Sequence, residues 1–144
     1  MDAASIALVE STFTAVKPLA DQLSRLFYER LFQLDPQVRT MFPADLAAQR
    51  QKLIDELDAI VSSLGRLHEL VARTTDLGHR HAGYGVEPHH YELVLDSLMY
   101  ALSTCIPQAM TPAATLAWRR AYHLIAETMM YGAAHGPTTP RTPD

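Results

Sequence analysis

Four of the chain's seven histidines lie close together in sequence, at His79, His81, His89 and His90. Imidazole nitrogens are common metal ligands, so the cluster raises the question of whether it holds a metal ion. A zinc site needs three or four converging ligands, usually with two of them three or four residues apart on one helix. His79 and His81 are only two residues apart, which turns them roughly 200° away from each other on a helix. His89 and His90 are adjacent and do not converge either. The spacing therefore does not favour zinc.

His81 has a setting that the other three histidines lack. Leu77 lies one turn earlier on the same helical face, and the glycines Gly83 and Gly85 then allow the helix to end. A histidine at a helix end beside an apolar slot suits a flat apolar cofactor with one axial ligand. The alternative for each of the four is a solvated or core histidine, which is the usual role in a helical protein. Of the four, His81 is the candidate iron ligand.

Composition narrows the class of protein. A chain of 144 residues suits one domain with one core. Lys and Arg number 12 against 16 Asp and Glu, a formal charge of −4, which does not favour nucleic acid or an anionic membrane as a partner. Cys105 is the only cysteine, so no internal disulfide forms. No segment reaches the ~18 uninterrupted apolar residues of a membrane helix. We expect a soluble cytoplasmic protein.

Helical periodicity runs through nearly the whole chain, and no stretch alternates apolar and polar residues for long enough to predict a strand. We predict an all-α domain over residues 1–135. A tail over 136–144 is expected to be disordered, because it is rich in proline and polar residues. The predicted helix starts after the first helix are Pro18, Asp45 as a cap, Leu67, Pro88 and Pro112. The predicted third helix carries a buried apolar stripe of Leu46, Leu53, Leu57, Ile60 and Leu64.

Taken together, the chain resembles the globins, and among them the single-domain bacterial haemoglobins and the haem domain of flavohaemoglobins. The resemblance covers about Phe13 to Ala134 and implies a globin fold of six to eight helices around a haem pocket. The residues that carry it are Phe27-Tyr28, Leu31-Phe32, Asp35 to Arg39, Met41-Phe42, Gln49, Leu53, His81, Gly85-Val86, His90-Tyr91, Ala117-Trp118 and Ala121-Tyr122.

The resemblance implies haem b, iron protoporphyrin IX, as the cofactor. His81 is similar to the proximal histidine that binds the iron and leaves the opposite position to a gas. Phe42 matches a phenylalanine that packs on the porphyrin. The further residues expected to line the cofactor are Leu53, Leu77, Val86 and Tyr91. Lys52 and Arg80 could each pair with a haem propionate, although such residues are more often simply solvated.

On the distal side, where the gas binds, the resemblance implies Tyr28, Gln49 and Leu53. Tyrosine and glutamine supply hydrogen-bond donors that stabilise a bound gas, and an apolar surround slows oxidation of the iron. The connection from Phe42 to Gln49 is shorter than expected for flavohaemoglobins, so Gln51 is a rival for the glutamine's place. The alternative for Tyr28, Phe42 and Leu53 is an ordinary place in the core.

One position departs from the flavohaemoglobin pattern. There the proximal histidine belongs to a network with a tyrosine and a glutamate; Tyr91 matches the tyrosine, but Ala133 stands where the glutamate is expected. A carboxylate partner would make the imidazole more basic and favour oxygen–oxygen bond chemistry. Without it, we expect His81 to donate to a weaker acceptor such as a backbone carbonyl, unless another acid such as Glu127 replaces the glutamate.

Two functions follow from the resemblance. The first is reversible binding of dioxygen, or of nitric oxide or carbon monoxide, for storage, transport or sensing. The second is an enzyme that converts nitric oxide to nitrate. Because the chain leaves no room for a flavin or nicotinamide domain, this enzyme would need a separate reductase. A third alternative is a globin-like fold that binds no haem and acts through protein contacts.

Overall fold

The computed structural model describes residues 1–136, and these form six α-helices and two short 3₁₀ helices without any strand. The all-α prediction is confirmed, at the lower end of the expected helix number. Most of the predicted tail, residues 137–144, lies outside the described residues. The elements are α1 (Ala3–Val16), a 3₁₀ helix (Lys17–Leu19), α2 (Ala20–Leu34), a second 3₁₀ helix (Pro36–Met41), α3 (Ala47–Ser63), α4 (Leu67–Gly83), α5 (His90–Cys105) and α6 (Pro112–His135).

Three helix starts differ from the prediction. Pro18 lies in the 3₁₀ helix Lys17–Leu19, and α2 begins two residues later, at Ala20. The helix α3 begins at Ala47 with Leu46 in the N-cap position, and Asp45 accepts the Ala47 N–H over 2.9 Å from one residue further out. The carboxylate therefore satisfies a free N–H of the first turn without being the cap itself. The helix α5 begins at His90, because Pro88 lies in a preceding turn. Pro112, by contrast, opens α6 as predicted.

The helices pack mainly in pairs, α1 on α6, α2 on α5, and α4 on α6 most closely. The indole N–H of Trp118 on α6 donates to the hydroxyl of Thr12 on α1 over 2.7 Å, inside the core. Because both side chains are buried, this bond satisfies two polar groups that would otherwise be costly to bury. The largest fully buried apolar side chains are Leu23, Leu70, Leu102, Val9 and Val16.

The apolar stripe of α3 is buried only along its second half. Ile60 and Leu64 are buried, whereas Leu46, Leu53 and Leu57 are half-buried. The prediction of one continuous buried stripe is therefore wrong for the first half. The physical reason is the packing of α3, whose contacts with α2, α4 and α1 are all light. The first half of α3 thus presents apolar side chains that its neighbours cover incompletely.

Among the helices of residues 1–136, none combines the length and the apolar character that crossing a lipid bilayer requires.

Candidate functional site

His81 lies in the last turn of α4 and is held in one tautomer. Its Nδ1 lies 2.8 Å from the backbone carbonyl oxygen of Leu77, one turn earlier. A carbonyl can only accept a hydrogen bond, so Nδ1 carries the proton and Nε2 keeps its lone pair. Burial lowers the pKa of His81 and so favours the neutral ring. The partner is a backbone carbonyl, as expected in the absence of the glutamate. His81 is therefore a neutral imidazole whose Nε2 can bind a metal.

Tyr28 and Gln49 meet between α2 and α3. The Gln49 side-chain amide donates from Nε2 to the phenol oxygen of Tyr28 over 3.2 Å. Tyr28 is 4% exposed, and burial raises the pKa of its hydroxyl, so the phenol stays protonated at neutral pH. Gln51 is exposed and donates to Asp55 over 2.9 Å. Of the two rival glutamines, the structure brings only Gln49 to Tyr28.

Phe42 belongs to an aromatic cluster around the same tyrosine. The rings of Tyr28 and Phe42 pack edge to face, with their centroids 5.5 Å apart. Phe32 lies 5.9 Å from Tyr28 and 5.8 Å from Phe42. Such aromatic pairs add to the stabilisation from burial alone. Phe42 itself is half-buried, so part of its ring remains available for contact with another group.

Arg39, for which the sequence predicted no role of its own, fixes the segment that carries Phe42. Its guanidinium lies over the ring of Phe32, 5.3 Å from the centroid. Three hydrogen bonds close the turn, from Nη1 to the carbonyls of Phe42 (3.2 Å) and Pro43 (2.8 Å) and from Nη2 to that of Ala44 (2.8 Å). The planar fork of an arginine is well suited to holding several acceptors at once. Its place in the Asp35 to Arg39 motif was the available signal.

Arg50, also missed, fastens the start of α3 to α2. Its Nε donates to the hydroxyl of Ser24 over 3.0 Å, and Nη2 donates to the backbone carbonyl of Asp21 over 3.1 Å. Nη2 also forms an ion pair with the Asp21 carboxylate. Because Ser24 is buried, this anchor sets the register of α3 against α2. Arg50 is the neighbour of Gln49 and so helps to place that amide at Tyr28.

Glu56 is the third residue that sequence reasoning missed. It follows Gln49 and Leu53 at helical spacing on α3, which puts the three side chains on one face. One carboxylate oxygen is buried and makes no hydrogen bond within the described residues, although Arg73 lies 3.6 Å away as an ion-pair partner. The negative charge of Glu56 acts to raise the pKa of His81, against the larger effect of burial. On this face of α3, Gln49 thus meets Tyr28, and the charge of Glu56 acts on His81.

The remaining residues that were predicted to line the pocket differ in how much of each side chain is exposed. Leu77 is buried, and Leu53 and Val86 are half-buried. Lys52 and Arg80 are both exposed. Both side chains can therefore reach an anionic group outside the protein core.

Within residues 1–136, the ring of His81 meets that of the exposed Tyr84, with centroids 6.4 Å apart, but no side chain forms a hydrogen bond with His81. Tyr91 is buried, its backbone carbonyl accepts the hydroxyl proton of Tyr122, and no hydrogen bond links it to His81 within residues 1–136. Ala133 is exposed. Glu127 is also exposed, so it does not supply the missing carboxylate partner. The acid that acts on His81 through space is Glu56 instead.

The other histidines of the cluster form a different arrangement. Within the described residues, the group with donor atoms close enough to suit a cation is Asp35, His89 and His90, all within 4.8 Å of one another. His90, however, accepts the backbone N–H of Glu87 at Nδ1 over 2.9 Å, which places its own proton on Nε2. Neither ring nitrogen of His90 is then free to bind a metal. His81, by contrast, keeps the lone pair on Nε2 and lies half-buried in the last turn of α4.

Comparison with known proteins gives a consistent result. The globin family model matches residues 25–129. The chain is 31% identical to the neuroglobin of Danio rerio over 123 residues, 76% of this chain and 77% of that protein. It is 26% identical to the flavohemoprotein of Bacillus subtilis over 133 residues, 90% of this chain but only 33% of that protein. The chain thus spans about a third of the flavohemoproteins that it matches.

A solved structure shares the fold over nearly the full length. It is an engineered carbene transferase derived from a candidate nitric oxide dioxygenase of Rhodothermus marinus. The TM-score is 0.82 at 25% sequence identity, with 93% of this chain and 94% of that chain covered. Together with the family match over most of the chain and the six-helix architecture, this establishes that the chain belongs to the globin family.

Proposed function

We propose that this globin holds haem b through His81 and binds dioxygen, or another diatomic gas, reversibly. The observation that carries the proposal is the hydrogen bond from Nδ1 of His81 to the Leu77 carbonyl, because it leaves a neutral Nε2 at the end of α4. Haem, when bound, supplies an iron with one position for a histidine nitrogen and one for a gas. The residues present fit this group: one basic imidazole nitrogen, half-buried apolar side chains and two exposed cations.

On the gas side, Tyr28 is the residue that donates the hydrogen bond. The Gln49 amide donates to the phenol oxygen, so the phenol proton of Tyr28 is not used in that bond and is left for a ligand. A gas that gains negative charge on binding is stabilised by such a donor. The raised pKa of Tyr28 keeps that proton in place across the neutral range.

Apolar side chains would hold the ring of the cofactor and keep water away. Phe42, Leu53 and Val86 are half-buried apolar side chains on three different segments, and each has surface left for such a contact. Lys52 and Arg80 would pair with the propionates, since both are exposed cations on the two helices that carry Leu53 and His81. In this arrangement, the apolar surface excludes solvent and the two cations orient the cofactor.

A second function is nitric oxide dioxygenation with a separate reductase. Its support is the similarity to flavohemoproteins over 90% of this chain and to the Rhodothermus marinus protein over 93%. Tyr28 and Gln49 would serve this reaction in the same way, by holding the gas through hydrogen bonds. The bond from His81 to a backbone carbonyl, without a carboxylate partner, favours reversible binding as the first function.

The first test is the absorption spectrum of the purified full chain with haem. An intense Soret band, with bands that shift on adding dioxygen and return on removing it, supports reversible binding. Protein without that band after haem addition contradicts haem binding. Consumption of nitric oxide is then measured with dithionite-free reductant and an added flavin reductase. Turnover that continues for many equivalents would favour the enzymatic function, whereas a single equivalent would favour binding.

A further inference from the structure

The helix that carries His81 approaches α6 so closely that only glycine fits at two positions. A Cβ atom added to Gly78 on α4 would lie 1.9 Å from the backbone carbonyl oxygen of Met129. A Cβ atom added to Gly132 on α6 would lie 1.9 Å from the backbone carbonyl oxygen of Thr75. At each glycine, the backbone of the other helix therefore packs directly against the glycine Cα atom. No other side chain fits at either position without moving the helices apart.

The two contacts form a reciprocal pattern that the sequence also shows. Thr74 precedes Gly78 by four residues on α4, and Thr128 precedes Gly132 by four residues on α6. The hydroxyl groups of Thr74 and Thr128 are in direct hydrogen-bond contact, and Thr74 is fully buried. The same Thr-x-x-x-Gly spacing on both helices thus produces a paired interface. Small residues at this spacing let helix backbones approach closely enough for Cα–H contacts with carbonyl oxygens.

The contacts of α4 with the other elements are weak compared with its contact with α6. Its contact with α3 is light, and the ion pair between Arg73 and Glu56 joins charges 3.6 Å apart with the arginine side chain 42% exposed. Exposed ion pairs contribute little to stability. The position of α4 is therefore set by α6. His81 follows Gly78 by less than one turn, and the carbonyl that fixes its ring belongs to Leu77, the residue next to that glycine.

We propose that Gly78 and Gly132 are positioning residues for His81, acting by holding α4 against α6 in the chain without haem as well as in the chain with it. The haem part of this inference rests on the proposed function. A side chain at either glycine would push α4 outward and carry the Leu77 carbonyl and the imidazole with it. A ligand held in place before the cofactor arrives loses less conformational entropy on binding. The close packing of α4 and α6 thus holds His81 in position before haem binds.

The experiment compares Gly78→Ala and Gly132→Ala with two matched controls, Gly65→Ala and Gly83→Ala. An added Cβ at either control glycine meets nothing within 4 Å, and neither has a positive φ. Hydrogen exchange is measured on the full-length chain with and without haem. In the wild-type chain without haem, amides in the second half of α4 should be protected to the level of α6. In Gly132→Ala they should exchange at least roughly tenfold faster, whereas α2 and α5 keep their protection.

Two measurements on the haem-loaded protein complete the test. The iron–histidine stretching band of the ferrous protein should shift or broaden in Gly78→Ala and Gly132→Ala, because the imidazole is no longer held at one orientation. Haem loss should be faster by at least roughly tenfold in both variants. The two control variants should match the wild type in all three measurements.

Several outcomes would overturn the proposal. Rapid exchange of α4 in the wild-type chain without haem contradicts a preformed helix, and this result needs no variant to fold. An unchanged iron–histidine band in both glycine variants contradicts positioning of His81. An equal loss of protection in α2, α5 and α4 shows general destabilisation instead. If the wild-type chain binds no haem, the proposed function fails, whereas exchange in the haem-free chain still decides whether Gly78 and Gly132 hold α4.

Discussion

The side-chain amide of Gln49 donates a hydrogen bond to the phenol oxygen of Tyr28, with 3.2 Å between the two atoms. The direction of this bond matters, because a phenol oxygen that accepts from Gln49 still has its own proton to donate. In the proposed function the two residues therefore act in series: Gln49 orients Tyr28, and the Tyr28 hydroxyl donates to the gas. Substitutions at the two positions should accordingly differ in the size of their effects.

Tyr28→Phe should speed dioxygen release by roughly 10- to 150-fold, since a hydrogen bond to a partly charged acceptor contributes ~1.5–3 kcal/mol. Stopped-flow displacement of dioxygen measures the rate. Carbon monoxide carries less charge when bound and serves as the control gas, so its release should change less. Equal effects on the two gases would mean that Tyr28 acts through its bulk.

Gln49→Leu should speed dioxygen release by a smaller factor, about fivefold, because it removes a neutral hydrogen bond worth ~1 kcal/mol that only orients Tyr28. Gln51→Leu is the matched control, since Gln51 is exposed and bonds to Asp55. It should leave the release rate unchanged. A larger effect from Gln51→Leu than from Gln49→Leu would reverse the assignment of the distal glutamine.

His81→Gly should abolish stable haem binding, because it removes the only nitrogen that we assign to the iron. Added imidazole should restore the Soret band, since the free base can occupy the space of the missing ring. His89→Ala is the control: His89 is exposed, and its contacts are with Glu87 and the ring of His90. Normal haem spectra in His81→Gly without imidazole would refute the proximal assignment.

Glu56→Gln should raise the midpoint potential of the bound iron. A carboxylate near the site stabilises the more positive ferric state, and its loss favours the ferrous state. We expect a change on the order of 1 kcal/mol, or about 40 mV for a one-electron couple, because Arg73 offsets part of the charge. Spectroelectrochemical titration measures the potential, with the exposed Asp55→Asn as control. A fall in potential, or equal shifts in both variants, would contradict this role of Glu56.

The haem-free chain should lose stability as the pH falls below about 6.5, the ordinary pKa of histidine. Burial lowers the pKa of His81 in the folded chain, so in this range the unfolded chain binds the proton and the folded chain does not. Stability is full above that range and declines toward the lower pKa of the folded state. Urea midpoints at about pH 8 and about pH 5.5 should differ less in His81→Leu than in the wild type. An equal difference in both would show that His81 does not contribute.

Much of the fold could be read from local sequence because the relevant physics is local. Periodic apolar residues define helices, and the breaks at Lys17-Pro18, Asp35-Pro36 and Gly65 appear where the structure has them. His81 stood out for the same reason, since the glycines after it end its helix. The predicted starts at Pro18, Asp45 and Pro88 were less accurate, because a cap or a turn can shift by a residue or two without changing the pattern.

The site itself depends on contacts between helices, which no single segment encodes. Gln49 and Gln51 lie on the same helix, and only the register of α3 on α2, anchored by Arg50, decides which of them meets Tyr28. Glu56 acts on His81 from a different helix.

How closely α4 approaches α6 is also decided by contacts between helices. Gly78 and Gly132 are far apart in sequence, and each glycine alone indicates only a position of low helix propensity. Composition and periodicity therefore determine the helices and the candidate ligand. The distances between side chains on different helices are decided by close packing, because each backbone settles only where the other leaves room.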